Sequence, residues 1–206
     1  MSEISRVSLF GKLNSLAYKA IEGATVFCKL RGNPYVELVH WIEQIMQTQD
    51  SDLHHIVRHF ELDAAKLAAD ITAALDRLPR GSTSISDLSA QVEDVVERGW
   101  VYGSLMYRET QVRTGHLLIG ALKTSTLRHT LFGISRQFER VRADTLTDDF
   151  ARIVAASPEE LLFATDGSGR GGAPGEASGA IAPAEMGKQE ALKRFTVDLT
   201  AQARSG

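Results

Sequence analysis

The chain has 206 residues, a formal net charge of −3 and a single cysteine. It has no block of Lys and Arg, which argues against nucleic acid or an anionic membrane as a partner, and no apolar run approaches the roughly 20 residues of a membrane span. One cysteine rules out an internal disulfide and is typical of a reducing compartment. Because the N-terminus also lacks a secretory signal, we predict a cytoplasmic protein.

Apolar and small residues recur at intervals of three and four along residues 13–63 and 92–135, which is typical of amphipathic helices. In the first stretch the pattern predicts helices over 9–30, 35–47, 52–60 and 64–78. Ser8 and Asp63 are predicted N-caps, because their side-chain oxygens can accept from the exposed amides of a first helical turn. The first helix is expected to end at 32–34, Gly-Asn-Pro, because proline cannot continue the hydrogen-bond ladder.

The second stretch repeats the first when 79 is added to each residue number. Here the pattern predicts helices over 88–108, 115–124, 126–132 and 136–156, with Ser86 or Asp87 capping the first and Ser135 the last. No segment has the strict alternation that is typical of strands. We therefore predict an all-α fold of two four-helix repeats, related by a pseudo-twofold axis and spanning residues 1–163.

A tract rich in Gly, Ala, Pro and Ser follows the repeats, and Ile181 is its one large apolar residue. Such a tract cannot bury enough surface to offset its ordering entropy, so residues 164–185 are predicted to form a flexible linker. From 186 to 206 a helical pattern resumes without a partner helix. This segment is predicted to be the beginning of a further, truncated domain.

Two patterns could suggest catalytic or metal chemistry, and neither is complete. Residues 167–172 match GxGxxG, but a dinucleotide site needs a strand before this loop and a helix after it. His55 and His59 lie one helical turn apart without an evident third metal ligand. The isolated His40 and His116 are expected to be hydrogen-bonding residues on helix surfaces or loops. The chain is therefore predicted to be non-catalytic, with no cofactor and no metal site.

Two short motifs occur once in each repeat. A helix opens on an acidic or histidine residue followed by two aliphatic ones at 37–39, Glu-Leu-Val, and at 116–118, His-Leu-Leu. A turn precedes the last predicted helix at 61–63, Glu-Leu-Asp, and at 133–135, Gly-Ile-Ser. In these motifs and their order the chain resembles the N-terminal domain of the Clp AAA+ unfoldases over most of residues 8–157.

The two ends of the chain extend this resemblance. Residues 9–14 and 191–204 are similar to the ClpV type of the family, the unfoldase of bacterial type VI secretion. The resemblance implies a domain that binds an N-terminal helix of the large type VI sheath subunit, so that a homo-hexameric ring disassembles contracted sheath. It also implies that ATP and Mg are used by AAA+ modules outside this chain.

The family binds its peptide helix in an apolar groove, and such a groove needs accessible apolar side chains beside small ones. The first predicted helix has more apolar positions than a single buried stripe requires, and an isoleucine within Ser-Thr-Ser-Ile-Ser is unexpected unless it packs on something. We predict that the groove is lined by Leu9, Phe10, Leu13, Leu16, Ala17, Ile85 and Leu88. The alternative is that Leu13 and Leu88 are core residues and that Ile85 fills the seam between the repeats.

Two other functions fit parts of the pattern. A Clp unfoldase of general protein quality control would bind adaptors or misfolded chains, and binding of varied unfolded chains would favour it over the ClpV type. A small independent enzyme would use the histidines or the glycine-rich loop. Bound metal or nucleotide would indicate that enzyme, and we expect neither.

Overall fold

A computed structural model describes residues 5–84 and 87–168, and this part of the chain is mainly helical, as predicted. Its α-helices are α1 (Arg6–Phe10), α2 (Ser15–Arg31), α3 (Leu38–Met46), α4 (Asp52–His59), α5 (Ala64–Asp76), α6 (Ala90–Tyr107), α7 (Thr114–Lys123), α8 (Ser125–Ile134), α9 (Ala143–Asp148) and α10 (Phe150–Ile153). Short 3₁₀ helices cover Arg136–Arg140 and Pro158–Leu161. Of the predicted linker, 169–185 lies outside the described residues, as does all of 186–206.

The first predicted helix is in fact two helices, α1 and α2, because a second N-cap interrupts it. The Asn14 side chain accepts from the Ala17 amide at 2.8 Å and begins α2, while Ser5, not Ser8, caps α1. The predicted end is confirmed: Gly32 has a φ of +69°, the left-handed conformation that glycine adopts without strain.

Other boundaries follow local capping chemistry with some exceptions. Asp63 caps α5 and Ser135 caps the 3₁₀ helix after α8, as predicted. The expected cap Asp87 instead lies in a strand, Ser89 precedes α6, and Ser86 lies outside the described residues. The last predicted helix, 136–156, is divided into a 3₁₀ helix, α9 and α10.

The two repeats are confirmed, but their offset is wrong in the prediction. The buried residues of α2 and α6 match one for one with a shift of 75: 17, 20, 21, 24 and 28 correspond to 92, 95, 96, 99 and 103. His40 and His116, at the third positions of α3 and α7, are 76 apart. A shift of 79 differs by about one helical turn, and a helical pattern matches itself when it slides by a turn.

A small parallel sheet, which the sequence did not predict, joins the repeats. Strand β1 (Tyr35–Val36) pairs with β2 (Asp87–Leu88). A second parallel bridge joins Leu13 to Val112, the residues equivalent to Leu88 and Val36. We call residues 11–14 with Val112 the Leu13 edge, and residues 87–89 with Val36 the Leu88 edge.

The core lies between the long helices and the buried α3 and α7. All of the residues of α7 from Thr114 to Leu122 are buried. Helix α7 lies very close to α6, since a Cβ on Gly120 would lie 2.8 Å from the backbone nitrogen of Gly99. Among the helices of the described residues, none combines the length and apolar character that crossing a membrane requires.

Candidate functional site

An open groove of about 300 Å³ lies between α1, α2 and the Leu88 edge. Helix α2 contributes a face whose residues recur at three and four, so that they share one side of the helix. Val7 of α1 is 83% exposed and lines the same groove as the half-buried Phe10 and Leu88. The lining residues are Arg6, Val7, Phe10, Tyr18, Ile21, Glu22, Thr25 and Leu88.

The structure separates the residues that were predicted to line a groove. Phe10 and Leu88 line it and are half-buried. Leu13 and Ala17 have no exposed surface, and Leu9 is 9% exposed, so these three belong to the core rather than to a binding surface. The reason is that Leu13 is held in the sheet bridge and Ala17 faces inward from the first turn of α2.

Two further predicted residues do not lie among the groove residues. Leu16 is half-buried but is not part of the lining, and Ile85 lies outside the described residues. The prediction missed Val7, Tyr18 and Ile21. A signal for Tyr18 was present, because it continues the apolar face of α2 beyond the buried stripe to which Ile21 belongs.

Helix α1 forms one wall of the groove and is joined to the body by ion pairs. Arg6 donates to Asp87 at 2.7 Å and also contacts Glu93 in the first turn of α6. The hydrogen bond from Arg6 holds the pKa of Asp87 below its ordinary value. Because these groups are substantially exposed, salt screens their attraction.

The Leu13 edge is covered by the chain itself. Residues 164–168, which we call the C-terminal strap, lie against residues 11–14, although the linker was predicted to begin at 164. The Thr165 amide donates to the Leu13 carbonyl and the Asp166 amide to the Gly11 carbonyl, both at 2.9 Å. Lys12 pairs with Asp166 at 2.7 Å. No comparable groove remains at this edge within the described residues.

A buried polar network lies beside the Leu13 edge. The Arg113 guanidinium donates two hydrogen bonds of 2.8 Å to the Asp52 carboxylate, and the exposed fractions of these residues are 4% and 0%. Glu159 accepts from the backbone amides of Asp52 and Thr114 and from the Asn14 side chain. These contacts join both repeats to the segment that leads into the strap.

Burial, followed by the nearby Asp52, raises the pKa of Glu159 to about 7. A perturbed carboxyl can indicate catalysis when it faces a cleft. Glu159, however, has no exposed surface and its oxygens are used by donors of the protein. The network therefore serves to hold the fold together and offers nothing to a substrate.

The two equivalent histidines are buried, whereas the sequence predicted surface or loop positions. The Nδ1 of His40 accepts from the Glu37 amide at 3.0 Å, and the Nδ1 of His116 accepts from the Arg113 amide at 3.3 Å. Burial lowers the pKa of His40 to about 4 and that of His116 to about 3. Both cap a helix in the neutral form, as an N3 side chain does in a capping box.

Metal chemistry has no geometric support within residues 5–84 and 87–168. No group of three His, Cys, Asp or Glu residues there could hold an ion. Of the histidine pair noted in the sequence, His55 contacts Asp50 at 3.1 Å and His59 stacks edge-on against Phe60. The groove between α1, α2 and the Leu88 edge is instead an accessible apolar surface of the described residues.

Comparisons with known proteins agree with this arrangement. No family model matches the chain. Over its whole length the chain is 71% identical to the AAA+ ATPase ClpV1 of Pseudomonas aeruginosa, and it spans 23% of that protein. A solved structure described with ClpV, the TssB–TssC sheath and the accessory protein HsiE is 70% identical, with a TM-score of 0.75 over 77% of this chain and 98% of that one. A ClpV N-domain in complex with a VipB peptide has the same fold, at 23% identity and a TM-score of 0.67 over 77% and 97% of the two chains.

Proposed function

The chain belongs to the ClpV type of Clp N-terminal domains, and we propose that it recruits the type VI sheath to a AAA+ ring by binding an N-terminal helix of the large sheath subunit. The groove between α1, α2 and the Leu88 edge carries this proposal. An apolar furrow of this kind accepts the apolar face of an amphipathic helix. The peptide complex of a ClpV N-domain with the same fold supports it.

In this proposal the chain itself carries out no chemistry. AAA+ modules outside it would bind ATP and Mg, form the homo-hexamer and disassemble the contracted sheath in the cytoplasm. Six copies of the domain on one ring would raise the effective concentration of binding sites, so that modest affinity of each groove suffices. The residues proposed to contact the helix are Val7, Phe10, Tyr18 and Leu88, together with the predicted Ile85.

The test is a titration of the 206-residue chain with a labelled N-terminal peptide of the large sheath subunit. Two aliphatic residues of matched exposure separate the groove from the general surface: Val7, 83% exposed in the groove wall, and Leu30, 81% exposed outside the lining. We expect Val7→Glu to weaken binding at least tenfold, because the guest would bury a carboxylate. Leu30→Glu should change it less than twofold.

Three results would reject the proposal. These are an unbound peptide, equal effects of the two substitutions, or preferential capture of varied unfolded chains. The last would favour a quality-control Clp unfoldase. Ile85→Glu tests the predicted contribution of Ile85 in the same assay, and unimpaired binding by a folded variant would remove Ile85 from the site.

A further inference from the structure

We infer that Arg6 is a positioning residue, which shapes the groove by holding α1 against the Leu88 edge through Asp87 and Glu93. This inference rests on the proposed function for its effect on binding. It concerns the wall of the groove rather than the contacts that the guest helix makes. The guanidinium acts by placing Val7 and Phe10 opposite α2.

Helix α1 needs such a constraint because it is too short to be stable alone. It has five residues, and isolated helices are marginal even at about 12 residues. Its inward anchor is Leu9, which is buried in the core. Phe10 also packs against the core, and both apolar anchors lie near the C-terminal end of α1. The Arg6 fork reaches two carboxylates, on β2 and on α6, and so fixes the N-terminal end of the helix.

The opposite edge of the domain carries a comparable ion pair at the equivalent position. Asp87 and Lys12 occupy equivalent positions, 75 residues apart. Each forms an ion pair with the segment that covers its own edge: Asp87 with Arg6 of α1, and Lys12 with Asp166 of the strap. The charges are reversed between the two edges. Each covering segment is therefore attracted to its own edge and repelled by the other.

Loss of the Arg6 pairs should release the wall of the groove. The apolar side chains of α1 would then no longer face α2, and the guest helix would bury less surface. Because the pairs are exposed, high salt should imitate the substitution. The expected effect is moderate, since an exposed ion pair contributes a factor of a few to an equilibrium.

Three variants of the 206-residue chain test this inference: Arg6→Gln, the double variant Asp87→Asn with Glu93→Gln, and the triple combination. Titration with the sheath peptide should show binding about twofold to fivefold weaker in each of the three, and less salt-dependent than in the unmodified chain. The triple variant should be no weaker than Arg6→Gln. Arg152→Gln, which removes an exposed ion pair with Asp149 on the distant α10, is the matched control.

Hydrogen exchange of the free chain provides a measurement that does not depend on the peptide. The amides of Leu9 and Gly11 are bonded within α1 and its C-cap, and Arg6→Gln should accelerate their exchange severalfold. The inference would be overturned if the loss of affinity in the triple variant equalled the sum of the losses in Arg6→Gln and in the double variant. Arg6 would then act independently of its two carboxylate partners, by contacting the guest directly. Unchanged affinity or unchanged exchange would also overturn it. Faster exchange in a chain that never binds the peptide would reject the proposed function and leave the role of Arg6 intact.

Discussion

The Leu13 edge and the Leu88 edge have the same backbone pairing but different surroundings. At the Leu13 edge the strap covers residues 11–14. Beneath it, the buried carboxylate of Glu159 joins three segments of the chain through hydrogen bonds. At the Leu88 edge a five-residue helix is held by exposed ion pairs, and a groove of about 300 Å³ remains open beside it.

This difference indicates how a duplicated fold can separate stability from binding. Buried charges and core leucines make one edge a fixed part of the domain. The other edge keeps apolar side chains accessible and is held by contacts that contribute little to folding. Substitutions at equivalent positions should therefore have unequal consequences, and the first two of the following experiments test that inequality directly.

The largest effect is expected from Arg113→Met. The substitution leaves the fully buried Asp52 carboxylate without its ionic partner, and breaking a buried pair in this way costs about 3–5 kcal/mol. Urea unfolding monitored by circular dichroism measures the loss. Glu37, the equivalent residue at the start of α3, is half-buried, and Glu37→Met should cost less than half as much. Equal losses in the free energy of unfolding for the two variants would contradict a structural difference between the two edges.

Leu13→Ala and Leu88→Ala compare the equivalent leucines directly. Leu13 is fully buried, so its truncation should lower the free energy of unfolding by about 3 kcal/mol. Leu88 is half-buried and should lose about 1 kcal/mol, while binding of the sheath peptide weakens severalfold. Equal destabilisation, with peptide binding intact in Leu88→Ala, would contradict a division between a core edge and a binding edge.

The neutral His116 makes stability depend on pH. Its folded pKa is about 3, below the ordinary 6.5, so the unfolded chain binds the extra proton first and stability falls as pH drops below 6.5. By pH 4.5 the loss from His116 alone should be about 2.5 kcal/mol. Gln at this position keeps the capping acceptor without titrating, so His116→Gln should remove the His116 share of this acid loss. The buried His40, whose pKa is lowered to about 4, should still contribute its own share.

His59→Gln, at an exposed position of α4, removes one imidazole as the control for that experiment. Glu159, whose folded pKa is raised, acts in the opposite direction: its contribution to stability falls as pH rises towards about 7. The variants are therefore compared with the unmodified chain at each pH. A profile unchanged by His116→Gln would contradict the buried neutral cap.

The smallest effect concerns the long helices of the two repeats. Gly99 of α6 is equivalent to Ala24 of α2, yet a Cβ at Gly99 would lie 3.1 Å from side-chain atoms of Leu117 and Val112. We expect Gly99→Ala to cost about 1 kcal/mol in thermal unfolding, the low end for overpacking. Gly133→Ala places a methyl group in open space on α8 and should stabilise by about 0.5 kcal/mol. Stabilisation by both would show that α6 and α7 can separate freely.

Local chemistry was sufficient for many boundaries. Asp63, Ser135 and Gly32 act as predicted because a cap depends on the side chain and the two or three residues beside it. The helical class and the duplication also follow from periodicity, which is a property of the chain alone. Asn14 was missed because the apolar pattern continues through it and hides the break between α1 and α2.

The register of the repeats, the sheet and the groove required the tertiary structure. Periodicity leaves an ambiguity of one helical turn, and packing resolved it to an offset of 75. Two-residue strands carry no alternation, and their pairs, such as Val36 with Leu88, join residues about fifty positions apart.

The sequence by itself thus determined that this chain forms paired amphipathic helices and that its N-terminal helical region has more apolar positions than one buried stripe requires. It could not determine which leucine is core and which is groove, because Leu13 and Leu88 occupy the same position in their repeats. That was decided by what covers each one: the strap and the buried Glu159 network at one edge, and a short helix held by Arg6 at the other. Burial is a property of the neighbours brought together by folding, and a residue's own identity does not specify them.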